Sequence, residues 1–231
     1  MIPLFDLHCD TFSELYKTNQ NINDNNLHIS LKKAESFFPY VQFTAIWSDF
    51  RLSDDEAYCS FTENVSYIKK QSVLFSTDLR NLDKNTFILS VEDARILNGD
   101  LSRLDTLHSL GVKSLTLNWK GVSCIGGAWD TNVSLTAFGK SVVKAANKLG
   151  LIIDLSHSSI KSFYDALELL SGFKIPPIAS HSNSYSVYNH KRNLTDDQFL
   201  ALKDAESLVG ISLASQHLSE NASITDVLNH I

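Results

Sequence analysis

The stretch Pro3-Leu-Phe-Asp-Leu-His8-Cys-Asp10 places a short apolar strand directly before a histidine and an aspartate. Because side chains alternate across a β-strand, His8 and Asp10 lie on one face at its C-terminal end. Such a pair can ligate one metal ion, although a hydrogen-bonded structural pair is the commoner explanation of an isolated His-x-Asp. Its meaning therefore depends on what the other strands of the chain carry at their ends.

Similar apolar runs recur along the chain and alternate with stretches of helical periodicity. This pattern is typical of repeated βα units around a parallel sheet, so it predicts an α/β fold with seven such units. The predicted strands are residues 4–9, 41–47, 86–91, 114–118, 151–155, 177–180 and 208–213. The predicted helices are residues 54–76, 101–110, 136–149, 160–170 and 195–205.

Start and stop signals support several of these helices. Ser53 and Thr195 stand before acidic residues, where an N-cap side chain and negative charge stabilise a helix start. Gly111 and Gly150 follow the last helical residues, as C-terminal caps do. The Asn-rich residues 19–26 and the Gly-containing residues 120–132 are predicted to be loops.

Composition restricts the class of protein. With 231 residues and 43% hydrophobic content, the chain can bury the core of one domain. Its 20 basic and 26 acidic residues give a net charge of -6, and no Lys/Arg cluster is present to follow a phosphate backbone. Nucleic acid is therefore not an expected partner.

The absence of a recognisable targeting signal predicts a soluble cytoplasmic protein. The first strand begins directly behind Met1, which leaves no room for a secretory signal. No apolar run approaches the roughly 18 residues that span a bilayer, so no membrane association is expected. Cys9, Cys59 and Cys124 lack the spacing of a disulfide framework and are expected to be buried free thiols.

Three further metal-ligand candidates stand at predicted strand ends. Glu92 follows one apolar run, His157 closes Leu151-Ile-Ile-Asp-Leu-Ser-His157, and His181 closes Pro177-Ile-Ala-Ser-His181. Each alone can be a solvated or structural residue. In βα barrels, however, polar residues at the C-terminal strand ends form the active site. Together with His8 and Asp10 they make a nitrogen and oxygen ligand set suited to zinc.

Arg192 precedes the capped helix 195–205 and lies a short loop after His181. Its guanidinium could bind a carboxylate through two hydrogen bonds. A surface arginine near Asp196 and Asp197 is the alternative interpretation, and the residues by themselves do not decide between them.

Six segments together resemble the membrane (renal) dipeptidase family of the amidohydrolase superfamily, in the family's order and with compatible spacing. They are Asp6-Leu-His8-Cys-Asp10, Gly111-Val-Lys-Ser-Leu-Thr-Leu117, Leu135-Thr-Ala-Phe-Gly139, Asp154-Leu-Ser-His157, Ser180-His181-Ser-Asn and Arg192-Asn-Leu-Thr-Asp-Asp197. The resemblance implies a TIM-like (β/α) barrel. Residues 1–231 would then form a single metallo-dependent hydrolase barrel domain with two zinc ions per site.

The resemblance also implies roles for individual residues. His8 and Asp10 would ligate one zinc, Glu92 would bridge both, and His157 with His181 would ligate the other. Arg192 would bind the free carboxylate of a dipeptide. The implied activity is that of a metallopeptidase, a hydrolase that cleaves the peptide bond of dipeptides with a metal-bridged hydroxide.

Two departures from the family pattern affect these expectations. Trp119 stands where animal members carry a substrate-contacting histidine, so it is predicted either to contact substrate through its indole N–H or to pack the mouth of the barrel. The chain ends at Ile231, before the eighth strand and its proton-handling aspartate. The sequence therefore assigns no catalytic acid or base, and it predicts seven of the eight strands.

An incomplete barrel predicts further consequences. Unpaired edges on the first and seventh strands favour association, including a homo-oligomer, and the missing aspartate favours weak activity. Another barrel amidohydrolase, such as a deacetylase or lactonase, stays open as an alternative. A catalytically impaired metal-binding protein is a further one.

Overall fold

The computed structural model describes residues 1–172 and 174–231. These residues form two compact units, Met1–Leu115 and Thr116–Ile231. The interpretation of residues 1–231 as one domain stays a prediction. Among the described residues, no helix has the length and apolar composition that crossing a membrane requires.

The first unit is built from parallel strands with helices between them. Its strands are β1 (Ile2–Cys9), β2 (Phe37–Trp47), β3 (Thr86–Glu92) and β4 (Val112–Thr116), the last of which ends on the first residue of the second unit. Its helices are α1 (Thr11–Thr18), α2 (Asp54–Ile68), a 3-10 turn (Ala94–Leu97) and α3 (Ser102–Ser109). β1 pairs with β2, and β2 pairs with β3 from Val41↔Thr86 to Trp47↔Glu92.

Burial explains why the strand residues of this unit are so apolar. Every residue of β3 is buried, and Ile88, Leu89 and Val91 belong to the core. A strand covered on both faces needs a continuous apolar run rather than an alternating one. The one charged residue of β3, Glu92, is its last residue, so its carboxylate lies at the end of the strand.

The start of α2 agrees with the sequence, whereas its end does not. Ser53 and Glu56 form a reciprocal capping box, as the residue types predict. The helix ends at Ile68 instead of continuing to residue 76. The chain turns here because Leu74 and Ser76 form backbone hydrogen bonds with Phe87 of β3. The prediction was wrong because this pairing partner is distant in sequence.

The second unit continues the alternation of strands and helices. Its strands are β5 (Ile152–Asp154), β6 (Ile178–Ala179) and β7 (Leu208–Val209), which pair in parallel in that order. Its helices are α4 (Ala137–Lys148), α5 (Ile160–Leu170), α6 (Asp196–Asp204), a 3-10 turn (Ser215–His217) and α7 (Ile224–Asn229). Thr195 caps α6 as predicted and forms a capping box with Gln198, and Gly150 follows α4 with φ +78°.

The seven strands of the described residues stand where the sequence predicts them, although β6 and β7 are shorter than expected. Helix α1 was missed because it has few apolar core residues, chiefly Phe12 and Leu15. With 8 residues it is also too short for a helical period to be recognised in the sequence. Cys9, Cys59 and Cys124 form no disulfide with one another. The expectation that they are buried is wrong, because Cys59 is exposed on α2 and Cys9 and Cys124 are partly exposed.

Gly139 in α4 is expected to tolerate no side chain. A Cβ at this position would lie 2.0 Å from the carbonyl oxygen of Ile125 and 2.8 Å from its carbon, which are backbone atoms. The substitution Gly139→Ala should therefore lower the free energy of unfolding by about 1–3 kcal/mol, measured by urea denaturation. The matched control Ser141→Ala, on the exposed face of the same helix, should change it little. Equal urea midpoints for both variants would contradict this close approach.

Candidate functional site

Three of the predicted ligands come together within the first unit. The Nε2 atom of His8 lies 3.6 Å from Oδ1 of Asp10 and 3.5 Å from Oε2 of Glu92. The side chains of His8 and Glu92 are almost fully buried, with 9% and 5% exposed, whereas Asp10 is half exposed. One imidazole thus faces two carboxylates at the end of two strands.

The local chain geometry explains how these side chains meet. His8 lies near the end of β1, and Asp10 follows that strand at the start of α1 without a side-chain capping bond to the helix. Glu92 is the last residue of β3. The next residue, Asp93, caps the 3-10 turn by accepting from the backbone N–H of Arg95. The ends of β1 and β3 and the start of α1 therefore position the three groups.

The electrostatics of this cluster favour a cation. Burial of the His8 ring opposes protonation, but the negative charges of Glu92 and Asp10 outweigh it and raise the pKa of His8 well above its ordinary value. The buried carboxylate of Glu92 thus stabilises positive charge beside it.

The separations also suit zinc. Two ligand atoms bound to one tetrahedral zinc at about 2.0–2.1 Å lie roughly 3.3 Å apart. The distances of 3.5 Å and 3.6 Å from His8 to its two carboxylates are close to that value. Imidazole nitrogen and carboxylate oxygen are both ordinary zinc donors, so the residues of the first unit fit a zinc ion.

The other two predicted ligands meet in the second unit. The Nε2 atoms of His157 and His181 lie 2.8 Å apart. His157 follows β5 with a left-handed φ of 65°, a conformation that is uncommon for a residue other than glycine. The two histidines are 24 positions apart in the chain, and they meet because β5 and β6 are adjacent and parallel.

Each of these rings is also held through its other nitrogen. The Nδ1 atom of His157 lies 3.2 Å from the carbonyl oxygen of Trp119, and Nδ1 of His181 lies 2.7 Å from Oγ of Ser180. Because a carbonyl oxygen can only accept, His157 donates from Nδ1, and the neutral form of this ring has its lone pair on Nε2. Metal-binding histidines usually donate a hydrogen bond from their other ring nitrogen in this way.

Arg192 is buried in the same unit, with 3% exposed. One of its terminal nitrogens donates to the carbonyl oxygen of His181 at 2.8 Å, and the other donates to Oγ of Ser182 at 3.0 Å. The alternative of a surface arginine is therefore wrong. The guanidinium is held against the segment that carries His181.

Two histidines near Arg192 have no counterpart in the sequence predictions. Burial, followed by the positive charge of Arg192, lowers the pKa of His217 to about 3. The same two causes lower the pKa of His190, whose ring lies 4.8 Å from that of His217. Both rings are therefore neutral near pH 7. Their sequence context, a loop after β6 and a 3-10 turn after β7, gave no signal of this proximity.

Trp119 contacts one of the predicted ligands. Besides the bond from its carbonyl oxygen to His157, its ring lies 6.3 Å from the ring of His157. The structure thus gives Trp119 a role through its backbone that sequence reasoning missed. A substrate contact through its indole stays a prediction.

Comparison with known proteins defines the class. The solved structure of a dipeptidase described as a metallopeptidase of family M19 superposes with a TM-score of 0.87 and 25% identity, over 99% of this chain and 79% of that chain. The fold is thus of the predicted α/β, TIM-like barrel class. The similarity places the chain among the hydrolases that act on peptide bonds. The family model "Membrane dipeptidase (Peptidase family M19)" matches residues 1–231, so the chain belongs to the membrane dipeptidase family.

Two relatives illustrate the range of similarity. An uncharacterised protein of Acinetobacter calcoaceticus is 26% identical over all of this chain and 88% of its own length. Dipeptidase 3 of Mus musculus is 28% identical over 99% of this chain, which spans 51% of the mouse protein. The chain thus spans about half the length of some of the curated relatives that it matches.

Proposed function

We propose that this protein is a zinc-dependent dipeptidase that hydrolyses the peptide bond of dipeptides. The observation that carries the proposal is the meeting of His157 and His181 through their Nε2 atoms, 2.8 Å apart, with each ring held at Nδ1. Two imidazoles arranged in this way suit a shared metal ion. Membership of the membrane dipeptidase family supports the substrate class.

The proposed metal ligands divide between two zinc ions. His8 and Asp10 would ligate one ion, His157 and His181 would ligate the other, and Glu92 would bind both. The 3.5 Å and 3.6 Å separations around His8 support its share of the set. The 2.8 Å between the other two histidines is shorter than the roughly 3.3 Å expected for two ligands of one tetrahedral zinc. The two rings should therefore move slightly apart when a metal ion binds.

When bound, zinc activates a water molecule as a nucleophile near neutral pH and polarises the scissile carbonyl. The protein residues hold the metal ions and orient the substrate. Glu92 would contribute negative charge from an almost fully buried position, which strengthens its attraction for cations. No residue of this chain is assigned as the catalytic acid or base.

Arg192 would select for dipeptides by binding the free C-terminal carboxylate. Arg192 is buried. The neighbouring rings of His190 and His217 are neutral, so they do not repel its positive charge. A longer peptide would present a neutral amide to the guanidinium, which costs affinity. This requirement favours a dipeptidase over a deacetylase or lactonase, whose substrates need no carboxylate clamp.

Three further predictions concern Trp119, the cellular location and the oligomeric state. The indole of Trp119 would contact the substrate or pack beside His157, whose ring lies 6.3 Å away. A cytoplasmic location and a homo-oligomeric state stay predictions.

Zinc titration of the metal-free protein by calorimetry tests the proposal. The wild type should bind two equivalents, and His157→Gln should lose one of them because it removes a nitrogen donor. The matched control His28→Gln removes an exposed histidine of the first unit and should keep both equivalents. The proposal fails if the wild type binds no zinc, or if His157→Gln and His28→Gln bind alike.

A further inference from the structure

We infer that Asn118 is a substrate-binding residue whose carboxamide pairs, through both its nitrogen and its oxygen, with the peptide group of a dipeptide. The inference rests on the proposed function, because it names a residue that would hold the bond to be hydrolysed. The sequence alone gives Asn118 no role, since it stands just after β4 and before Trp119 without belonging to any recognised ligand pattern.

The side chain of Asn118 is buried without hydrogen-bond partners. The residue is 2% exposed, and neither Nδ2 nor Oδ1 of its amide has a partner among the described residues. Such an amide has two N–H donors and an oxygen with two acceptor positions. Leaving this group buried and unpaired costs stability, so native structures rarely do so without a reason. A ligand group that both donates and accepts would satisfy both ends of the amide.

The geometry of β4 decides which face of the sheet Asn118 occupies. The backbone N–H of Leu117 donates to the carbonyl oxygen of Asp154 at 3.3 Å, so the chain continues along β5 beyond Thr116, the last residue of β4. Side chains two positions apart on a strand share a face, and Asn118 therefore lies on the face of Thr116. The hydroxyl of Thr116 donates to Oδ2 of Asp154 at 2.7 Å. Asn118 thus lies on the face that carries the Asp154 carboxylate.

This face is polar and leads to Arg192. The hydroxyl of Ser180 donates to Asp154 at 2.6 Å. Oγ of Ser156 lies 3.4 Å from that of Ser180 and 3.3 Å from that of Ser182. Arg192 in turn donates to Oγ of Ser182 at 3.0 Å. Partnered side chains thus cover the face as far as the proposed carboxylate clamp, whereas the carboxamide that follows β4 stays unpaired.

The chain around Asn118 also brings it close to the proposed reacting centre. The carbonyl oxygen of the next residue, Trp119, lies 3.2 Å from Nδ1 of His157. A dipeptide bound by Arg192 at its carboxylate and reacting beside His157 would place its single peptide group on this face. That group has a carbonyl oxygen that accepts and an N–H that donates. Nδ2 of Asn118 would donate to the carbonyl oxygen, and Oδ1 would accept from the peptide N–H.

The substitution Asn118→Leu tests this pairing with two substrates, a dipeptide and its ester analogue, in which an oxygen atom replaces the peptide N–H. Leucine has nearly the size of asparagine but forms no hydrogen bond. In zinc-loaded protein, kcat/KM for the dipeptide should fall about 100-fold, because both hydrogen bonds are lost. For the ester it should fall only about 10-fold, because the ester cannot donate to Oδ1 even in the wild type.

Unfolding of the metal-free protein in urea provides a second measurement. Because Asn118 has no partner in the fold, Asn118→Leu should keep or raise the urea midpoint. The matched control is Asn147→Leu, which replaces a buried asparagine of α4 that donates from Nδ2 to the carbonyl oxygen of Ile175 at 3.2 Å. This control should lower the urea midpoint, since it leaves the carbonyl group unpaired, and it should leave kcat/KM for both substrates unchanged.

The two measurements separate substrate binding from a structural role. Equal falls in kcat/KM for the dipeptide and the ester would overturn the inference, as would unchanged kinetics in Asn118→Leu. A urea midpoint lowered as far as in Asn147→Leu would also overturn it, because the amide would then stabilise the fold. None of these results affects the proposed function while the wild type hydrolyses dipeptides. A wild type that binds no zinc and cleaves no dipeptide would overturn the proposed function itself, and this inference with it.

Discussion

Glu92→Gln is expected to lower kcat/KM for dipeptides by roughly 10³-fold or more, because it removes the proposed bridging carboxylate. The amide has nearly the same shape but carries no negative charge and is a weaker metal ligand. Its position makes the loss severe, since Glu92 is 5% exposed and lies 3.5 Å from Nε2 of His8. The variant should also bind less than two equivalents of zinc, as measured by metal analysis of the purified protein.

Glu63→Gln is the matched control for this prediction. Glu63 is an exposed residue of α2 that accepts a hydrogen bond from Tyr16, and its replacement should leave zinc content and turnover unchanged. Thermal unfolding of both variants checks that the fold is retained. Full zinc occupancy together with wild-type turnover in Glu92→Gln would remove Glu92 from the proposed ligand set.

Arg192→Ala is expected to lower kcat/KM for dipeptides by about 30- to 1,000-fold, equivalent to roughly 2 to 4 kcal/mol of transition-state binding. A charged hydrogen bond to the substrate carboxylate is lost from a buried position, where water replaces it poorly. A dipeptide whose C-terminal carboxylate is converted to an amide should lose little, because it never made that bond. The measurement is kcat/KM for both substrates with wild-type and variant protein.

Two further variants complete this comparison. Lys191→Ala removes the neighbouring exposed positive charge and should affect neither substrate. Arg192→Lys keeps the charge but loses the paired donors, so it should restore only part of the preference for the free carboxylate. An equal loss on dipeptide and amide in Arg192→Ala would show that Arg192 supports the fold around His181 and does not clamp the substrate.

Much of the fold could be predicted from the sequence because the signals are local. The fully buried β3 is mostly apolar, and Ser53 with Glu56 caps α2 as the residue types indicate. Errors appeared where a distant partner decides the conformation. Residues 69–76 have a helical pattern, yet the chain leaves the helix because Leu74 and Ser76 bond to Phe87.

The candidate site divides in the same way. The positions of His8, Asp10, Glu92, His157 and His181 at or just after strand ends follow from apolar runs that can be read along the chain. Their roles as metal ligands stay a proposal. Arg192 shows what local reading lacks, because nearby acidic residues suggested a surface ion pair, whereas the side chain is buried against His181 and Ser182.

The sequence by itself determined the order of strands and helices and which polar residues follow each strand, because periodicity, capping and turn chemistry act over a few residues. Only the tertiary structure decided which of those polar groups touch. The pairing of β5 with β6 brings His157 to His181 and Asp154 to Ser180, across 24 and 26 positions of chain. Strand register sets these contacts, and register depends on the packing of the whole sheet rather than on any single segment.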